Sequence, residues 1–338
     1  MKIIIYFFLS FLLISCQPKT VETHGGLIVD IEITDDASNE SKINSALDIF
    51  KKRIENIFEN NPQVILSTDK KSIQLKFPLV TDSTLVKDFV VRKGQFKTIE
   101  TYNVKEIYGY LDEINSKLAE DHNYQYQIPV DISKDSGKNE LQKNLSEIEK
   151  ETIIKNKFSL FTILNPNISS DGSLADGPAI GISMLKDTAL VDSIFRDKKF
   201  SSLLPNDFEC KWSRYSQNKF VWLIALKKPG NKNVITSEMI ADAKTVKGEF
   251  TDNLEVNFIL KPEYVHLWTE MTRNNINRSL AILIDDDVFS YPKVVSEIVG
   301  GNSSITGQFI EVEAKALAMI LKYGPIPVDF KIKGITKL

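Results

Sequence analysis

The chain has 338 residues, 42% of them Ala, Val, Ile, Leu, Met, Phe, Trp, Tyr or Cys and 26% charged, a balance that supports a folded core and excludes whole-chain disorder, collagen and coiled coil. Its 42 Lys and Arg against 45 Asp and Glu give a net charge of −3, with no basic excess for phosphate contacts, which argues against a nucleic-acid partner. Two cysteines, Cys16 and Cys210, exclude a disulfide framework and a cysteine-rich metal site, and the length suggests two domains of about 150 residues each.

The N-terminus carries Lys2, then an apolar run that ends at Ser15-Cys16 and is followed by polar Gln17-Pro18-Lys19. A membrane helix needs about 20 apolar residues, so 1–15 reads as a signal peptide. Leu13-Ile14-Ser15-Cys16 resembles the bacterial lipobox, which implies cleavage before Cys16, lipid attachment at Cys16 and a lipidated linker over 16–26. An uncleaved anchor, or an ordinary signal with an incidental cysteine, fits the same run.

A strand over 27–33 follows Gly25-Gly26. Ile43, Ala46, Leu47, Phe50, Ile54, Ile57 and Phe58 recur at helical spacing up to Asn61-Pro62. Strands at 64–66 and 72–77, a helix at 83–91 and a strand at 95–102 complete the order β-α-β-β-α-β, the ferredoxin-like or split βαβ arrangement. The middle reads as a helix over 104–118, a polar turn-rich stretch over 122–145, strands at 158–164, 179–184, 208–212 and 220–226, and helices at 188–195 and 237–245. A second β-α-β-β-α-β order follows: strand 255–260, a helix from Pro262 to Asn277, strands 279–284 and 288–295 around Asp285-Asp286-Asp287, a helix stopping at Gly324-Pro325, and strand 328–335. The predicted fold is α+β: a ferredoxin-like base over 27–110, a larger α+β head over 111–325, and a C-terminal strand over 326–338 for which return to the base is one option.

Chemistry-bearing motifs are sparse. The cluster Gly300 to Gly307 lacks the lysine and spacing of a phosphate loop and reads as a structural turn. Cys210, alternating within Phe208-Glu209-Cys210-Lys211-Trp212, reads as a core residue. Three consecutive aspartates in a tight turn do not converge on a metal, so 285–287 reads as a solvated hairpin turn. His24, His122 and His266 fall in different elements, which leaves no zinc pair. The expectation is no catalytic, cofactor-binding or metal site: not an enzyme, and no cofactor.

A longer ordered pattern stands in the C-terminal third: Thr272, Asn275-Ile276-Asn277-Arg278, Leu280-Ala281-Ile282 and Asp285; then Ser290-Tyr291-Pro292, Gly300-Gly301, Ile305-Thr306-Gly307-Gln308-Phe309, Glu313-Ala314, Leu317-Ala318 and Gly324-Pro325-Ile326-Pro327. Together these resemble the first periplasmic domain of SecD and SecDF, the protein-export membrane subunits. Gly25-Gly26, Arg53-Ile54 and Lys93-Gly94 echo weaker landmarks of that family. Asn277 and Asp286 stand where the family has glycine, and both residue types tolerate positive φ. The chain stops at Leu338, where the family enters its transmembrane helices, so proton coupling is not implied. The resemblance implies a non-catalytic cell-envelope lipoprotein, lipid-anchored to a membrane and facing the periplasm. It would bind exported polypeptides by strand addition at an open sheet edge or groove, or assist the Sec translocon. The alternative is a structural or interaction lipoprotein that keeps this fold and serves another envelope complex.

Overall fold

The computed structural model describes residues 19–35, 39–121, 158–214, 219–230, 234–248 and 253–338, and in it a single helical turn, Val21–His24, leads into strand β1 (Gly26–Ile33). Helix α1 (Glu40–Ile57) starts where Asn39 accepts the Lys42 N–H at 2.9 Å, a side-chain cap for an otherwise orphan donor. There follow β2 (Gln63–Leu66), β3 (Ser72–Pro78), β4 (Phe96–Glu100), α2 (Val104–Glu120), β5 (Asn165–Pro166), β6 (Ala179–Met184) and α3 (Thr188–Arg196). Next come β7 (Phe208–Trp212), β8 (Phe220–Lys227), β9 (Ile240–Lys247), β10 (Leu254–Leu260) and α4 (Val265–Asn274). The chain ends with β11 (Leu280–Ile284), β12 (Asp287–Ser290), β13 (Asn302–Phe309), α5 (Glu311–Tyr323) and β14 (Phe330–Lys337).

Two compact units emerge, Met1–Lys93 with Ile310–Leu338, and Gly94–Phe309. The first is a four-stranded antiparallel sheet in the order β14-β1-β3-β2. Leu27, Val29 and Ile31 of β1 and Ile73, Leu75 and Phe77 of β3 are buried, the period-two pattern of a sheet with one covered face. That face receives α1, through Ile43, Ala46, Phe50, Ile54 and Ile57, and α5, which packs beside α1. Phe50 meets Phe330 edge-on, with centroids 5.6 Å apart; full burial of such a side chain stabilises by roughly 1.5–3 kcal/mol. On the opposite face Lys331 and Lys333 lie 2.7 and 3.1 Å from Glu32 and hold its carboxyl below the usual range.

The β-α-β-β-α-β order is therefore present, but its second half differs from the expected one. The predicted closing strand at 95–102 is β4, which pairs with β11 in the second unit; the closing helix and strand are α5 and β14. The base is thus not 27–110, nor the head 111–325. Residues 94–110 belong to the second unit because the apolar stripe of α2 (Val104, Ile107, Leu111, Ile114 and Leu118) is buried in that unit's core. Residues 310–325 belong to the first because α5 packs on α1. The second β-α-β-β-α-β order forms no sheet of its own, since its strands are shared among three sheets.

The second unit holds the sheets β13-β10-β9, β12-β11-β4 and β5-β6-β8-β7. The last two are joined where Thr101 bridges Leu226 and the Tyr102 N–H reaches the Ala225 carbonyl at 3.1 Å. Two further expectations are corrected. The strand predicted at 158–164 contains a helical turn, Leu160–Ile163, whose Phe161 N–H bonds Asn115 at 2.9 Å. The helix predicted at 237–245 is a 3-10 turn, Ser237–Met239, running into β9. The polar stretch predicted over 122–145 lies outside the described residues.

Candidate functional site

Most of the sequence-derived chemistry resolves into structure. Cys16 and His122 lie outside the described residues. His24 and His266 are exposed on separate elements, and among the described residues no group of His, Cys, Asp or Glu is arranged to hold a metal ion. Cys210 sits on β7 against the core formed by α2, α3 and β8. Burial, with Asp192 and Glu209 nearby, pushes its thiol up to about 12, so it stays protonated and non-nucleophilic at neutral pH. A depression of about 550 Å³ lies over this strand. Its charged rim is internally paired, Lys211 with Asp286 at 3.0 Å and Trp212 Nε1 donating to Asp192 at 2.9 Å.

The aspartate turn is more than a solvated hairpin. Asp286 is exposed, but Asp285 accepts the backbone N–H groups of Gly94 and Gln95, both at 2.9 Å, and so anchors the entry to β4. Its φ is +56°, and Asn277 has φ +64°; the positive φ expected near this turn falls on Asp285 rather than Asp286. Arg278 donates to Glu106 at 2.6 Å and to the Thr101 carbonyl at 3.4 Å. Burial works to raise the Glu106 carboxyl, but the Asn103 N–H and the Arg278 guanidinium hold it below the usual range. Glu106 also closes the capping box of α2 with Asn103, so Arg278 fixes the start of that helix.

The glycine cluster is a turn only at its start. The chain bends at Gly300 and Gly301, the latter at φ +69°, where an added Cβ would lie 2.7 Å from Val265; residues 302–309 then run as β13 beside β10. The composition hid this strand: Ile305 is its fully buried side chain, set among Asn, Ser, Thr and Gly. One face of β13-β10-β9 is covered by α4, with Trp268 against Phe258 and bonded to Ser303 at 2.8 Å. The other face presents two cross-strand rows, Lys244–Asn257–Ser304 and Asp242–Ile259–Asn302. They line a depression of about 450 Å³, with Ile259 44% exposed amid polar neighbours. The Leu260 N–H bonds the Gly301 carbonyl at 3.0 Å; by antiparallel alternation Ser303 and Ile305 also bond inward, while Asn302 and Ser304 direct their backbone groups to the outer edge. Both are exposed, and no described strand pairs with that edge.

Fold and surface together define a class: an α+β protein of two units, one closed by its own C-terminal segment, the other offering a polar sheet face and an open strand edge. Residues 213–328, which include this face, match the family model described as SecDF, P1 head subdomain. The chain is 30% identical to protein translocase subunit SecD of Rhodothermus marinus over 173 residues, 49% of this chain and 27% of that protein. It is 43% identical to SecD of Leptotrichia buccalis over 77 residues, 23% of this chain and 19% of that protein. With SecDF of Thermus thermophilus it shares 33% over 102 residues, 30% of this chain and 14% of that protein. The expected resemblance to the first periplasmic domain of SecD and SecDF therefore holds, while the matches span about a quarter or less of these relatives. Two solved SecDF structures superpose loosely. One, in a super-membrane-facing form, has TM-score 0.44 and 16% identity over 94% of this chain and 31% of that one. The other, of a membrane component that enhances protein export, has TM-score 0.43 and 17% identity over 91% and 98%. Among the described residues no helix is long and apolar enough to cross a membrane.

The family pattern contains Asp285 and Arg53 but not their roles, the anchoring of β4 and a buried charge. Arg53 sits one position before Ile54 on the apolar stripe of α1 and is 1% exposed; a charge on a buried stripe was the signal available.

Proposed function

We propose that this protein is a lipid-anchored envelope component that binds extended segments of exported polypeptides and assists Sec-dependent translocation. The observation that carries it is the match of residues 213–328 to the SecDF P1 head. The open edge at Asn302 and Ser304, beside the Lys244–Asn257–Ser304 row, supports a mode of binding. Backbone N–H and C=O groups pair with any extended chain, the tolerance required of a protein that meets many sequences, and Ile259 adds an apolar spot among polar neighbours. Cys16 carries the lipid in this reading, and the signal over 1–15 delivers the chain to the envelope. Acyl chains contribute about 0.8 kcal/mol per buried CH2 to anchoring.

Deletion of the gene is expected to slow processing of exported precursors in pulse-chase labelling. Wild type but not Cys16→Ala restores the rate, and palmitate labels wild type but not the variant. Unchanged processing in the deletion strain contradicts the export role, and palmitate incorporation into Cys16→Ala contradicts the anchor.

A further inference from the structure

The first unit is completed by a segment that lies beyond the whole second unit in the chain. Its two halves meet at the sheet, at the α1–α5 packing, and at one buried side chain. Arg53 donates from Nη1 to the Arg92 carbonyl at 2.8 Å and from Nη2 to the Lys93 carbonyl at 3.2 Å and to the Gly324 carbonyl. Residues 92 and 93 end the N-terminal half; Gly324 ends α5, whose last carbonyls lack intrahelical donors and carry the negative end of the helix dipole. The same junction is tied by the Ile326 N–H to the Lys93 carbonyl at 2.8 Å and by the Lys93–Asp329 ion pair.

We propose that Arg53 is a latch that closes the split first unit, holding residues 310–338 onto the N-terminal half. A planar guanidinium suits this position because its fork reaches carbonyls on two segments at once, and it is buried with those acceptors in place. Until 310–338 is present, β1 lacks its β14 neighbour and the guanidinium lacks the Gly324 acceptor. The first unit therefore closes after the contiguous second unit has been made, although its first strand is synthesised earlier. The latch is independent of what the second unit binds.

Hydrogen exchange by mass spectrometry on the full chain tests this. In wild type, peptides from β3 and from α5–β14 are expected to share one opening rate. In Arg53→Met, which keeps the apolar stem and removes the donors, α5–β14 peptides should exchange at least ten-fold faster than β3 peptides, with β11 unchanged. A common rate for β3 and α5–β14 in the variant overturns the proposal. If Arg53→Met leaves the first unit unfolded, Arg53→Lys decides instead: its single ammonium cannot span both segments, so it must show the same split at smaller size, and equal rates overturn the latch.

Discussion

Asp285 does with one side chain what a loop of unaided backbone would do poorly. One carboxylate oxygen takes the N–H groups of both Gly94 and Gln95, and the residue holds φ +56°, a conformation that Asp and Asn adopt more readily than Ala. Asp285→Ala removes both acceptor bonds and adds backbone strain. It is expected to destabilise the second unit by about 1–3 kcal/mol, while Asp285→Asn, which keeps an acceptor and the φ preference, costs clearly less; urea unfolding of the two variants measures this. Equal losses would show that the carboxylate oxygen is not what holds the entry to β4. In the sequence the three aspartates read as a solvated hairpin turn, with Asp285 undistinguished from its neighbours. The anchor was missed because the two N–H groups come from a segment almost two hundred positions earlier in the chain. Cys210 was legible for the opposite reason, since alternation along its own strand placed it on the aromatic side.

Local pattern located most elements and failed where composition or context competed with it. α1, α2 and β6 follow directly from apolar spacing. β13 was hidden by its Ser, Thr and Gly content, and β9 by Ile240 and Ala243, three apart as on a helix face although they lie on a strand; neighbouring strands decided both. β13 nevertheless depends on Ile305, which is fully buried. Ile305→Ala is expected to cost about 2–5 kcal/mol and to lower the denaturant midpoint of the second unit, with the first unit unaffected. A loss below 1 kcal/mol would mean that Ile305 does not fasten β13 to the α4 side of its sheet.

At the scale of the molecule, spacing identified a ferredoxin-like order but not which helix and strand finish it. A β-α-β-β-α-β count is satisfied as well by the helix at 83–91 and β4 as by α5 and β14. The choice is made by long-range pairing, β1 with β14 and β4 with β11, and no period within the sequence encodes a partner. The second unit is contiguous over Gly94–Phe309 and holds residues 213–309 of the stretch that matches the SecDF P1 head, the remainder, 310–328, lying in the split unit; the face and edge that carry the proposed function, on β9, β10 and β13, belong to the contiguous unit. In the proposed role the β13 edge and the face beside it receive extended polypeptide. The most direct measurement is site-specific photocrosslinking in cells during export, with a photoreactive residue at Asn302, Ser304 or Ile259 and a control at exposed Lys51 on α1. Adducts with exported precursors are expected at the first three positions and none at Lys51; precursor adducts absent from all three, or equally abundant at Lys51, would overturn the proposed role.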